Sequence, residues 1–169
     1  MWSEFLYIIM AYFDTQKKNE RIFDIYIPAV IAIASIVYSI AYQNNDIQFN
    51  FINEVIIFIG TLLGFTLAAL TLLLSNNRIE ETTRQSSTDN RKIRGKEITM
   101  YEYIVILCSH LIVCETILCI IFYVAFLFPI KVNYIIAILS NSIFIFGVFH
   151  VLFLTLRTVS NMYFIAKRR

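Results

Sequence analysis

From Val55 through Asn77 the chain carries no charged side chain, and that one stretch restricts what it can fold into more than any other feature. It belongs to a segment, Asn53 to Ser75, that reads Asn-Glu-Val-Ile-Ile-Phe-Ile-Gly-Thr-Leu-Leu-Gly-Phe-Thr-Leu-Ala-Ala-Leu-Thr-Leu-Leu-Leu-Ser. About 20 apolar residues rising about 1.5 Å each cross the hydrocarbon of a bilayer, so the segment predicts a transmembrane helix. Within it Glu54, Ile57, Thr61, Gly64, Ala68, Thr71 and Ser75 alternate in steps of three and four, which keeps them on one seam of the helix. Arg78 extends the same seam. The seam is small and weakly polar, and it either lets another helix come close or faces water.

Three further segments have spanning length, residues 22–42, 101–128 and 132–158. At 169 residues, 59% hydrophobic and 15% charged, four spans with short loops use nearly the whole chain. That leaves no room for a separate catalytic domain, and neither a signal peptide nor a metal-binding spacing is evident. The expected fold is an all-α integral membrane protein. Four transmembrane helices form two antiparallel hairpins behind an N-terminal interfacial amphipathic helix. The parts are an interfacial helix and elbow (1–21), a first hairpin (22–75), a basic loop (76–99), a second hairpin (100–160) and a basic tail (161–169).

Charge sets the orientation. Of the 14 basic residues, all but Lys131 fall on one side if both termini and the central loop share it. The positive-inside rule makes that side cytoplasmic. Residues 2–13 place Trp2, Phe5, Leu6, Ile9, Tyr12 and Phe13 on one face, a stretch too short to span and suited to the headgroup boundary. Pro28 cannot donate to the carbonyl of Asp24, so the first helix either starts near Pro28 or kinks there. Ala32, Ser35 and Ser39 make a second small stripe, read as packing against a neighbouring helix. Gln85 to Asn90 read as a flexible turn, and Thr99 with Glu102 as a capping box opening the third span.

Ionisable groups within hydrocarbon cost roughly 2.5 to 3.5 kcal/mol on insertion scales. Counting in from the span ends at about 1.5 Å per residue puts Glu115 about 21 Å deep, Asn141 about 24 Å, and His110 and His150 about 10 to 14 Å. At about 100° per residue, Glu115 and His110 point roughly 140° apart, and Asn141 and His150 nearly opposite. Two clusters are expected, Glu115 with Asn141 and His110 with His150. Because the two histidines and Glu115 do not converge, no metal is expected. Cys108, Cys114 and Cys119 read as small hydrophobes within the third span.

Two features keep two readings each. The basic loop residues Arg84, Arg91, Lys92, Arg94 and Lys96 serve either anionic lipid and topology or a phosphate-bearing ligand. The spacing Gly60-x-x-x-Gly64-x-x-x-Ala68 serves either dry helix packing or the lining of a pore. One subunit has too few helices to surround a lumen, so a pore requires several copies, a tetramer or larger, about an axis.

Four short spans, the segment Leu-Gly-Phe-Thr-Leu-Ala-Ala-Leu-Thr-Leu-Leu-Leu-Ser and a basic loop before the third span together resemble the small membrane effectors of bacterial anti-phage nucleotide-signalling systems, CBASS and Hailong among them. The resemblance implies a homo-oligomeric pore in the bacterial inner membrane that depolarises an infected cell. It also implies control by a nucleotide or oligonucleotide made by a partner nucleotidyltransferase. With no glycine-rich phosphate loop or metal-binding spacing in the sequence, no cofactor is expected. Set beside the channel are a non-conducting scaffold or accessory subunit, and an intramembrane enzyme or proton-coupled transporter centred on Glu115.

Overall fold

The computed structural model describes residues 2–42, 52–75, 87–127 and 133–167. Arg78, Arg84 and Lys131, both outer loops and the last two residues lie outside them. In order the elements are α1 (Trp2–Thr15), α2 (Lys18–Arg21), a π-helical turn (Ile22–Tyr26), α3 (Ile27–Tyr42), α4 (Ile52–Ser75), β1 (Ser87–Ile93), β2 (Lys96–Thr99), α5 (Met100–Leu127) and α6 (Tyr134–Lys167). Among the described residues four helices are long and apolar enough to cross a membrane: Lys18–Ala41, Glu54–Ser75, Met100–Leu127 and Tyr134–Phe164. The chain is a multi-pass membrane protein by this measure.

Of the two expected hairpins the second is a packed pair, α5 against α6, and the first is not. α4 packs chiefly along α5, α3 along α6, and α5 against α6, so the order across the bundle is α4, α5, α6, α3. The first two spans flank the central pair instead of packing on each other. Side-chain shape explains why. The bulky face of α4 enters α5 twice: Ile59 meets Phe122, and Leu73 meets Tyr103, Ile104 and Cys108. α3 instead offers its small stripe to α6. Ala32 and Ser39 are buried there, Ser35 Oγ lies 3.1 Å from Ser142 Oγ, and Tyr134 Oη donates to the Ser39 carbonyl at 2.8 Å. Between α5 and α6 a Cβ on Gly147 would stand 2.6 Å from Leu118, so glycine permits that close approach.

Three local expectations change. The first span begins at Lys18, and the disturbance expected at Pro28 takes the form of a π-helical turn just before it, after which regular α-helix resumes at Ile27. α6 runs to Lys167, so the basic tail continues a helix. The central loop holds an antiparallel hairpin, with Lys92 opposite Glu97 and Ile93 opposite Lys96. Residues 87–90 open its first strand and are not a flexible turn. The reversal comes at Arg94 and Gly95, with φ of 48° and 83°, the two positive values that a two-residue hairpin turn requires. Among the described residues the fold is therefore helical with one small β-hairpin. The capping box forms: Thr99 N donates to Glu102 Oε2 at 2.8 Å, and Glu102 N to Thr99 Oγ1 at 3.2 Å.

Candidate functional site

The elbow between α1 and the first span organises a charged cluster. α1 stops at Thr15, whose hydroxyl donates to the Tyr12 carbonyl at 2.9 Å, and Lys17 N is held by Glu20 Oε2 at 3.0 Å. This places Glu20 and Asp24 one turn apart, facing inward. Arg157 of α6 approaches Asp24 Oδ2 with Nη1 at 2.5 Å and Glu20 Oε2 at 3.7 Å. Its guanidinium makes no hydrogen bond within the described residues and holds the carboxylates by charge. Arg91, on β1, donates to both oxygens of Glu20, at 2.5 Å and 2.8 Å, and to the Thr15 carbonyl at 2.7 Å. It also stacks 4.0 Å over Tyr103. One hairpin residue thus ties the loop to the elbow and to α5.

Asp24 is wholly buried. Its Oδ2 also accepts from Tyr12 Oη at 2.8 Å and Gln16 Nε2 at 2.9 Å. Burial first, then the neighbouring Asp24 carboxylate, pushes the Tyr12 hydroxyl's pKa above its ordinary value. Tyr12 accordingly stays a neutral donor. It sits with Leu107, Leu111, Val151 and Leu154 in the bundle core, so it does not share the face of Leu6 and Phe13, which are exposed. The expected amphipathic face of α1 is therefore divided between protein and surroundings.

His110 and His150 come together. Their rings are 6.3 Å apart, edge to face, and Tyr12 stacks flat on His110 at 3.7 Å. Cys114 Sγ lies 3.5 Å from His110 Nε2, and the potential ligand atoms of His110, Cys114 and His150 fall within 4.8 Å of one another. His150 Nδ1 donates to the Asp24 carbonyl at 2.5 Å. That carbonyl has no α-helical donor four residues on, because Pro28 has no N–H.

The expected partner of Glu115 is corrected. Thr66 Oγ1 of α4 donates to Glu115 Oε1 at 3.2 Å, Oε2 has no hydrogen-bond partner among the described residues, and Asn141 is half-buried elsewhere on α6. How α4 turns about its own axis decides this, and no count along one helix reveals that turn.

The seam of α4 faces outward. Ile59, Leu62, Thr66, Leu70 and Leu73 form the inner stripe, while Glu54, Ile57, Thr61, Gly64, Ala68, Thr71 and Ser75 are all exposed, Ile57 to 70%. A Cβ on Gly60 or Gly64 would meet nothing within 4 Å. Close packing of this seam against the chain's own helices is thereby removed as a reading. Thr61 and Thr71 return their hydroxyls to the carbonyls of Ile57 and Leu67, both at 2.8 Å. The seam presents small groups whose hydroxyl protons are already placed.

Among the loop basics, Arg91 is committed to Glu20, and Lys92 faces Glu97 at 3.9 Å on the surface. Arg94 lies 5.3 Å over Tyr7. Arg94 and Lys96 border an open cleft of about 520 Å³ walled by Tyr7, Leu74, Tyr101 and Ile106. Glu97 and Glu102 also border it. The sequence reading missed Glu20, Asp24, Arg157 and Thr66 as site residues. The signal for Asp24 and Arg157 was their charge inside segments assigned to the membrane. Compared with known proteins, the chain matches no family model, no curated protein and no solved structure.

Proposed function

We propose that this chain is the subunit of an oligomeric ion channel in which α4 lies innermost, with Glu54, Thr61, Gly64, Ala68, Thr71 and Ser75 toward the axis. The observation that carries this reading is the outward direction of the seam. Lipid-facing helix surfaces are ordinarily bulky, and small residues concentrate where a helix meets another helix or water. A face of Gly60, Gly64 and Ala68 left open by its own bundle is suited to several copies gathered about an axis.

The membrane is taken to be the bacterial inner membrane, with termini and hairpin cytoplasmic and the exposed Leu6, Met10 and Phe13 of α1 resting in the inner leaflet. Control is assigned to a nucleotide or oligonucleotide at the hairpin cleft. Arg94 and Lys96 would meet its phosphates, and Tyr7 and Tyr101 are the aromatic residues of the cleft wall that could stack on a base. Leu74, in the last turn of α4, forms part of that cleft wall, which gives a ligand there a direct mechanical route to the lining helix. In this reading the chain acts as an anti-phage effector that depolarises the membrane.

Gly64→Leu and Ala68→Leu in purified protein reconstituted into liposomes test the reading. Because a Cβ at Gly64 meets nothing within 4 Å in the subunit, loss of ion flux in a variant whose thermal midpoint is unchanged would report on the assembly and not on the fold. Unchanged flux in both variants would remove the seam from the conduction path. The same open face also suits a non-conducting scaffold; wild-type protein that is silent alone and co-purifies with a second membrane protein would favour that reading.

A further inference from the structure

We propose that His110, Cys114 and His150 form a binding site for one monovalent copper ion, set between α5 and α6 beneath the elbow. His110 and Cys114 are one turn apart on the same face of α5, and His150 reaches them from the facing helix. Bond lengths of about 2.1 Å to nitrogen and about 2.3 Å to sulfur put the N···S edge of a tetrahedral or near-trigonal site at about 3.6 to 3.8 Å. The observed His110 Nε2 to Cys114 Sγ separation is 3.5 Å. No two of the three ligand atoms are more than 4.8 Å apart. A side-chain adjustment of about 1 Å therefore closes the triangle around a metal with these bond lengths.

The surroundings are those of a held ligand set. A carbonyl can only accept, so the contact from His150 Nδ1 to the Asp24 carbonyl fixes the proton on Nδ1 and leaves the Nε2 lone pair available. Pro28, having no N–H, leaves that carbonyl without its usual donor four residues on. His110 is 4% exposed, its Nδ1 has no partner among the described residues, and its Nε2 has only the long contact to sulfur. The protein supplies this buried imidazole with no strong hydrogen bond, while Tyr12 clamps its plane. A polar ring held flat and left unsatisfied is a ligand-ready one.

Charge selects the ion. Metal binding at Cys114 releases its thiol proton to solvent; the resulting thiolate and two neutral imidazoles sum to −1, so Cu⁺ gives a neutral complex and Zn²⁺ leaves a net positive charge. Among spanning helices the neutral complex is favoured, and a thiolate with two imidazoles suits soft copper. A second cleft of about 450 Å³ is bordered by Glu20, Asp24, Phe153 and Arg157, and Asp24 is the residue whose carbonyl holds His150. The site stands independently of the channel reading.

The test is titration of the full-length detergent-solubilised protein with Cu(I) under reducing conditions, in competition with bicinchoninate. One tightly held ion per chain is expected. Cys114→Ser should weaken it by at least about 100-fold, the upper end of what even outer-shell changes cost, while Cys108→Ser and Cys119→Ser should leave it unchanged. Copper X-ray absorption of the wild-type protein, which needs no variant, should show one sulfur and two nitrogens. An affinity unmoved by Cys114→Ser, or lowered equally by all three serine variants, overturns the site. Tighter binding of Zn(II) than of Cu(I) overturns the copper assignment.

Discussion

Arg157 on α6 and Asp24 in the π-helical turn of the first span are joined across the bundle at 2.5 Å, with the carboxylate wholly buried. This contact fastens the first helix to the last, and Glu20 extends it to Arg91 and the hairpin. Glu20, Asp24 and Arg157 are thus coupled to the element that carries the loop basics.

Asp24→Asn should strand the Arg157 guanidinium, because removing one partner of a buried pair costs about 3 to 5 kcal/mol. The change is expected to lower the thermal midpoint in detergent sharply. Replacing both partners, as Asp24→Leu with Arg157→Met, should recover most of the loss, since a matched apolar pair carries no uncompensated charge. Equal midpoints for wild type and Asp24→Asn would show that the pair holds nothing.

Glu115 and Thr66 make a second cross-helix bond whose loss is graded. Thr66→Val should cost about 1 to 3 kcal/mol by leaving both carboxyl oxygens unpaired. Glu115→Gln keeps an acceptor for Thr66 and should cost less. Abolished ion flux in Glu115→Gln, with assembly intact, would instead favour a proton-coupled transporter.

Tyr12 gives a pH signature with a definite sign. Its hydroxyl is held above the ordinary tyrosine value of 10.0 by burial and by Asp24, so the folded chain keeps that proton more tightly than the unfolded one. The stabilisation is full below about pH 10 and falls as pH rises further. Tyr12→Phe should be less stable than wild type at pH 8 by about 1 kcal/mol. It should also decline less steeply between about pH 9.5 and 11. Parallel decline of the two proteins would contradict the placement of Tyr12.

Arg91 and Arg94 should separate on mutation although both are loop arginines. Arg91→Glu faces Glu20 with a like charge and is expected to destabilise the protein, whatever ligand is present. Arg94→Glu with Lys96→Glu should leave stability intact and abolish binding of a fluorescent oligonucleotide, whose affinity for wild type should fall steeply with salt. Retained binding in that double variant would remove the cleft as the phosphate site.

Much of this arrangement is legible in the chain because period and length leave little choice. The run from Val55 fixes α4, Thr99 and Glu102 announce the start of α5, and Ala32, Ser35 and Ser39 mark where α3 meets a neighbour. Depth counting brings His110 to His150. What it does not give is rotation between helices, which packing alone decides; hence Thr66, not Asn141, reaches Glu115. Pro28 signals a disturbed helix, but whether the chain starts, kinks or adopts a π turn depends on what receives the Asp24 carbonyl, and that is His150 on the far side of the sequence. The hairpin was concealed because Ser87 to Asn90 have turn composition, while the actual reversal uses an arginine at positive φ beside Gly95.

Single-particle imaging of the detergent-solubilised protein measures the central claim most directly, because it counts subunits and locates α4. The account predicts several copies about an axis, with Thr61, Gly64, Ala68 and Thr71 bordering a continuous opening. A lone subunit, or a symmetric assembly in which that face of α4 lies against detergent or fits tightly to a neighbour with no opening beside it, would contradict the channel.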